Sequence, residues 1–170
     1  MVMDDRTADF TAYASGRWAS LVRSAVMLGC SQPDAEDLAQ TALVKAWTHW
    51  PKVRQAAEPD AYVYRIMVNA LSTSRRRRWH GERPTERLDV EPDGDDQEAG
   101  IVLRHAVVDA LRALSPDQRQ VLVLRFVADL SERATAEVLG VAVGTVKSRT
   151  SRALAALDPA PLADHAGGES

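Results

Sequence analysis

The sequence predicts an all-α protein: two small helical bundles joined by a flexible acidic linker, the second bundle containing a helix-turn-helix. Three observations lead there. Apolar residues recur at threes and fours through most of the chain, the spacing of one face of a helix. Residues 81–100, GERPTERLDVEPDGDDQEAG, are rich in acid, Pro and Gly with almost nothing to build a core, so they divide the helical patterns into two groups. Beyond them, Leu130 to Leu157 carries two short helical patterns joined by a tight turn. The expected divisions are 6–80 for the first bundle, 81–100 for the linker, 101–158 for the second bundle and 159–170 for a mobile tail without periodicity.

In the first bundle, Phe10, Tyr13, Ala14, Trp18, Leu21, Val22, Ala25 and Leu28 trace an amphipathic helix that ends near Gly29. Ser31-Gln-Pro33-Asp34 is a turn and helix-start signal. The helix it opens buries Ala35, Leu38, Ala42 and Ala46, with Trp50 a candidate for the same stripe, and Pro51 is expected to end it. Its outer side sets Asp37, Gln40, Thr41 and Lys45 beside the apolar Val44, a surface suited to docking on another protein. The plainer reading is that the acids favour a helix N-terminus and Trp47 fills the core.

Pro59-Asp60 opens a third helix, AYVYRIMVNALSTSRRRRW, with Tyr62, Ile66, Asn69 or Ala70 and Thr73 along one side. It finishes on Arg75, Arg76, Arg77 and Arg78, followed by Trp79 and His80. Cations suit a helix C-terminus, but four consecutive arginines cover every side of it, more than capping requires. With Tyr62, Tyr64 and Trp79 as flat faces for an unstacked base, the composition fits a single-strand or melted-duplex surface.

The linker's acids either simply solvate it or lie transiently on this arginine cluster. After it, Ile101 to Leu114 reads as a helix with Val102, His105 or Ala106, Val108 or Asp109, and Arg112 around it, closed by Leu111 and Leu114. Ser115-Pro116-Asp117-Gln118 is a capping signal, and the helix it starts, to about Ala128, draws its core from Val121, Leu122, Leu124 and Phe126 and leaves Arg119 and Arg125 outside. In the helix-turn-helix, Ala134, Val138 and Leu139 share a face and Gly140 stops the first helix. The second places Val143, Val146, Thr150, Leu154 and Leu157 inward. Opposite lie Thr145, Ser148 and Arg152, flanked by Lys147, Arg149 and Ser151, with no acid between Gly140 and Leu157. A face of hydroxyls and cations is what a helix needs to approach phosphates and base edges in a major groove.

The 170 residues carry a formal net charge of −3, which hides the unevenness that matters: arginine gathers from Arg65 to Arg87 and again toward Arg152, while acid gathers at the N-terminus and between Glu86 and Glu98. The single cysteine, Cys30, excludes an internal disulfide framework and a cysteine-rich zinc site and reads as a small core residue. No basic-then-apolar leader opens the chain, and VLVLRFV is too short and too interrupted to span a bilayer. A cytoplasmic protein without membrane attachment is expected. There is no HExxH, P-loop or GxGxxG, and His49, His80, His105 and His165 are too scattered to be ligands, so neither metal, cofactor nor enzymatic activity is expected.

Three segments together resemble the extracytoplasmic-function sigma factors of bacterial RNA polymerase, over nearly the whole chain. AEDLAQTALVKAW resembles that family's core-polymerase-binding segment, AYVYRIMVNALSTSRRRRW its promoter-melting and minus-10-reading segment, and LSPDQRQVLVLRF with LGVAVGTVKSR its minus-35-reading domain. The resemblance implies that Asp37, Gln40, Thr41, Val44 and Lys45 face the β′ clamp helices of core polymerase. It implies that Arg65, Asn69, Ser72 and Arg75 to Arg78 hold the minus-10 strand. Lys147, Ser148, Ser151 and Arg152 then fall at base-reading positions, with Thr145 and Arg149 better suited to phosphates. Core RNA polymerase, including its β flap, and promoter DNA are the implied partners, and an anti-sigma protein is a candidate controller.

Three departures stand out: no acid follows soon after Gln40, Ser72-Thr73-Ser74 replaces an acid usual after Asn69, and Thr135 stands where a bulky aliphatic is usual. The last two suit a sigma-E-like subgroup common in actinobacteria. Two other classes remain as alternatives. A response-effector type of regulator shares the helix-turn-helix but has no reason to carry the Asp34 to Trp50 helix with an arginine-aromatic one. A purely protein-binding helical adaptor predicts that charge reversal at Arg149 and Arg152 changes nothing.

Overall fold

The computed structural model describes residues 4–79 and 98–157. The segment assigned to the tail and most of that assigned to the linker lie outside the described residues. Every described element is helical: α1 (Asp5–Met27), α2 (Gln32–Thr48), α3 (Trp50–Gln55), α4 (Pro59–Trp79), α5 (Glu98–Arg112), α6 (Pro116–Leu122), a π-helical turn (Val123–Val127), α7 (Glu132–Leu139) and α8 (Val143–Ala156).

Local chemistry sets the boundaries. At the end of α1, Gly29 N–H still reaches back to Val26 O (2.9 Å), and the φ of +110° at Gly29 turns the following Cys30 N–H back to Ala25 O (3.0 Å). That closes the helix with its last carbonyls satisfied. Ser31 then caps α2 by accepting from Asp34 N–H at 3.2 Å. Pro51 does not end this helix, contrary to the sequence expectation; α2 stops at Thr48, and Pro51 sits in the first turn of the short α3, where a missing N–H costs nothing.

The first bundle packs α1 on α2 and α2 on α4, with α3 closing one end. Leu21, Leu28, Val53, Val63 and Met67 are fully enclosed. Phe10, Tyr13, Trp47 and Trp50 cluster with ring centroids 5.1–5.2 Å apart, and Trp50 Nε1–H donates to Asp9 at 3.0 Å, so the indole is buried without an orphaned donor. The core stripe of α4 is Ala61, Tyr64, Met67, Val68 and Leu71. The side marked by Tyr62, Ile66 and Thr73 in the sequence lies nearly opposite this stripe at about 100° per residue, with Tyr62 and Ile66 half-buried and Thr73 exposed.

In the second bundle, α5 begins at Glu98, inside the segment assigned to the linker, and buries Val108 and Leu111 while Val102 and Leu103 face solvent. Ser115 and Gln118 form the expected capping box of α6. Beyond α6 the chain departs from expectation. The backbone widens to π geometry over Val123–Val127, which breaks the 3.6-residue period. Val121 and Leu122, at the end of α6, and Val123 and Leu124, in the widened turn, are all buried, and Phe126 is turned out, 60% exposed. Arg119, expected outside, folds back to donate to the carbonyls of Leu111 (2.9 Å), Arg112 (3.2 Å) and Leu114 (3.2 Å), capping α5 from another helix. Truncation of Arg119 to Ala is expected to cost about 2 kcal/mol by orphaning these acceptors, measurable by urea denaturation.

The helix-turn-helix is assembled as expected, with Ser131 capping α7 and Gly140 in the left-handed region at its end. In α8 the inward stripe is narrower than expected, because Val146 and Ala153 are fully buried and Thr150 and Leu157 flank them, while Val143 and Leu154 are 38% and 48% exposed. At about 100° per residue both fall on the same side, roughly 60–80° from Val146. Thr135 is fully buried and its hydroxyl has no partner. Thr135→Val keeps the shape and removes the orphan, so it is expected to raise stability by about 1 kcal/mol, read as an upward shift in Tm.

The bundles are docked. The π-helical turn lies on α1 and α7 lies on α4, Ser131 donates to Glu58 at 2.9 Å, and one apolar cluster runs from Leu21 and Met67 through to Leu124 and Val138. Two arginines, one from each bundle, crowd the C-terminus of α1: Arg75 donates to Leu28 O, and both guanidinium groups lie beside Gly29. Burial, then the like charges of Arg75 and Arg112, lower the pKa of Arg119.

Candidate nucleic-acid interface

Because Ala35, Leu38, Ala39, Ala42, Leu43 and Ala46 are drawn into the core, the opposite side of α2 is left outside. Asp37, Gln40, Thr41, Val44 and Lys45 all lie there, at positions i, i+3, i+4, i+7 and i+8, in one continuous stripe. Val44 is 60% exposed in its middle, an apolar centre within a polar rim.

The same logic organises α4. With Tyr64, Met67, Val68 and Leu71 turned inward, Arg65, Asn69, Ser72 and Arg76 form an exposed row. Arg75, though exposed along much of its length, points its head group at Leu28 O and so leaves that row. Arg77 turns toward α2 instead. There it lines a groove of about 550 Å³ with Asp37, Thr41, Lys45, Asn69 and Arg75, so residues assigned to two separate tasks share one concavity. Arg78 and Trp79 complete the helix, but their side chains are outside the described residues.

One stacking candidate is overturned. Tyr64 is 2% exposed, with its hydroxyl 3.1 Å from both Ser20 and Ser24, so no base can reach its ring. Tyr62 is half-buried and lines a separate depression with Pro51, Lys52 and Ala56. The sequence clue was the three- and four-residue spacing of Tyr64 from Ala61, Met67 and Val68.

On α8, Lys147, Ser148, Ser151 and Arg152 are exposed and Thr145 and Arg149 half-buried. The helix starts at Val143 after Ala142, without a side-chain cap, so its first N–H groups are left for solvent or a phosphate. Ser148 donates to Thr145 O at 3.1 Å, which fixes its hydroxyl as an acceptor toward anything outside. Lys147 lies 3.7 Å from Glu132 and Arg149 3.5 Å from Asp117. No group of three His, Cys, Asp or Glu suited to a metal occurs among the described residues.

Comparison with known proteins matches this architecture. The family described as Sigma-70 region 2 matches residues 16–81, and Sigma-70, region 4 matches residues 104–157. The RNA polymerase sigma-E factor of Streptomyces coelicolor is 40% identical over 151 residues, covering 88% of this chain and 84% of that protein. The ECF RNA polymerase sigma factor SigM of Mycobacterium tuberculosis is 38% identical over 138 residues, covering 81% and 69%. Among solved structures, the sigma factor RpoE of Bartonella quintana, crystallised with the anti-sigma factor NepR, superposes with a TM-score of 0.74 at 26% identity over 92% of this chain and 98% of that one. The chain belongs to the extracytoplasmic-function class of RNA polymerase sigma factors.

Proposed function

We propose that this sigma factor divides its work among three exposed stripes: α2 holds core polymerase, α4 holds the minus-10 strand and α8 reads the minus-35 element. The observation that carries this reading is that each stripe lies opposite a buried apolar face on a rigid helix, with those of α2 and α4 flanking one groove. Polymerase does the chemistry; the protein positions DNA for it. On α2, Val44 is the apolar anchor and Asp37, Gln40, Thr41 and Lys45 supply the polar rim against the β′ clamp helices, while the second bundle meets the β flap. On α4, Arg65 and Arg76 neutralise phosphates and Asn69 and Ser72 offer hydrogen bonds to bases exposed as the duplex opens. On α8, Lys147, Ser151 and Arg152 reach base edges in the major groove, and Thr145 and Arg149 hold the backbone.

Two elements centred near minus 35 and minus 10 lie about 25 base pairs apart, or roughly 85 Å at 3.4 Å per pair. A compact chain of 170 residues has a radius of gyration of only about 15 Å. The docked bundles must therefore separate before both elements are held. Eighteen residues, 80–97, join α4 to α5 and reach about 60 Å if extended, enough with the bundles' own widths to bridge the gap.

No helix among the described residues is long and apolar enough to cross a membrane, and a site of action beside polymerase in the cytoplasm follows from the proposed role. The Bartonella relative's complex supports an anti-sigma protein as a further partner. Permanganate probing tests the division of labour. Unpaired thymines around minus 10 are expected with core and this chain together, and their loss is expected in the Arg65→Glu, Asn69→Ala double variant while core stays bound. Melting that survives this variant overturns the role of α4.

A further inference from the structure

Two of the three cations on α8 already have anionic neighbours. Lys147 Nζ is 3.7 Å from Glu132 Oε2, and a terminal guanidinium nitrogen of Arg149 is 3.5 Å from Asp117 Oδ2. Neither acid belongs to α8: Glu132 opens α7 and Asp117 opens α6, both in a first turn where the helix dipole favours a carboxylate. Arg152 forms no ion pair among the described residues.

We propose that Glu132 and Asp117 are positioning residues that set DNA specificity, holding Lys147 toward the minus-35 bases and Arg149 at its one backbone contact, and keeping both from following the phosphates of unrelated DNA. This rests on the assignment of α8 to that element. Binding to arbitrary sequence is phosphate binding and grows with the number of cations free to follow the backbone. A long, flexible lysine is the side chain best able to do so. A carboxylate beside it opposes the excursion, and at these separations each pair remains compatible with the cation's own DNA contact, because an ammonium has three donors and a guanidinium five. In a promoter complex both pairs persist; in a non-specific complex they have to break. Exposed pairs are weak, so each contributes about a two- to five-fold preference. Discrimination thus comes from acids that touch no DNA.

The test compares Glu132→Gln and Asp117→Asn with Asp109→Asn, which removes the same charge from an exposed pair with Arg112 on α5, off the recognition helix. Binding of the full-length chain to a random-sequence 30-base-pair duplex is followed by fluorescence anisotropy across a salt series. In parallel, run-off transcription by the holoenzyme is challenged with the same duplex as competitor. Glu132→Gln and Asp117→Asn are expected to bind the random duplex two- to five-fold more tightly, with the salt slope steeper by about one because one more cation joins the phosphates. Less competitor should halve their transcription, and Asp109→Asn should match wild type in both assays. A merely structural role would move Tm but neither slope nor ratio. If Asp109→Asn behaves like the other two, or if none departs from wild type, the proposal is overturned. Absence of transcripts with the wild-type chain would count against the sigma reading, and the random-duplex series would still decide the role of the acids.

Discussion

Replacing Arg152 by Glu is expected to reduce promoter-dependent transcription at least 100-fold while leaving affinity for core polymerase unchanged. Arg152 is exposed on α8, opposite the buried Val146 and Ala153, so its head group is available to a base edge without rearrangement. A bidentate contact of this kind contributes about 1–3 kcal/mol, and reversing the charge adds repulsion from the phosphates. The two together exceed the roughly 2.8 kcal/mol that 100-fold requires. Arg152→Lys keeps the charge but loses the fork, and recovers part of the activity. Run-off transcription at saturating core, with Tm as a control for folding, measures both variants. A protein-binding adaptor would be indifferent to the reversal.

The second large effect is expected at Val44. At 60% exposure it is an apolar side chain without a packing role in the free protein, so Val44→Glu leaves the fold intact and even favours the helix. With α2 docked on polymerase as proposed, the variant would bury a charge at the centre of that contact, and affinity for core is expected to fall about 100-fold. Titration of labelled chain with core reads the loss directly. The same variant retains full affinity for random-sequence duplex, because α8 is untouched.

These effects were legible in sequence because they depend on local periodicity. A helix with Ala35, Leu38, Ala42 and Ala46 inward must present Asp37, Val44 and Lys45 outward, whatever it packs against. Caps were equally legible: Ser31, Ser115 and Gly140 act through neighbours three or four residues away. Features that depend on residues distant in sequence, or on a change of helical period, were not. The π-helical turn that ejects Phe126 leaves no mark in a 3.6-residue pattern. Arg119 looked like an outward cation because its partners belong to the preceding helix, and Tyr64 looked like a stacking platform because a tyrosine suits a core and a surface alike. The docking of the bundles through Ser131 and Glu58, and the pairing of Lys147 with Glu132, likewise arise only once the chain is folded.

This chain directs polymerase to promoters. Run-off transcription with bacterial core polymerase, on genomic fragments that include the region upstream of this gene, tests this most directly. Discrete transcripts that require both the protein and Arg152 are the predicted result, and their start sites would define the promoter. A chain that neither binds core nor yields a transcript would contradict the account and leave a DNA-binding regulator in its place.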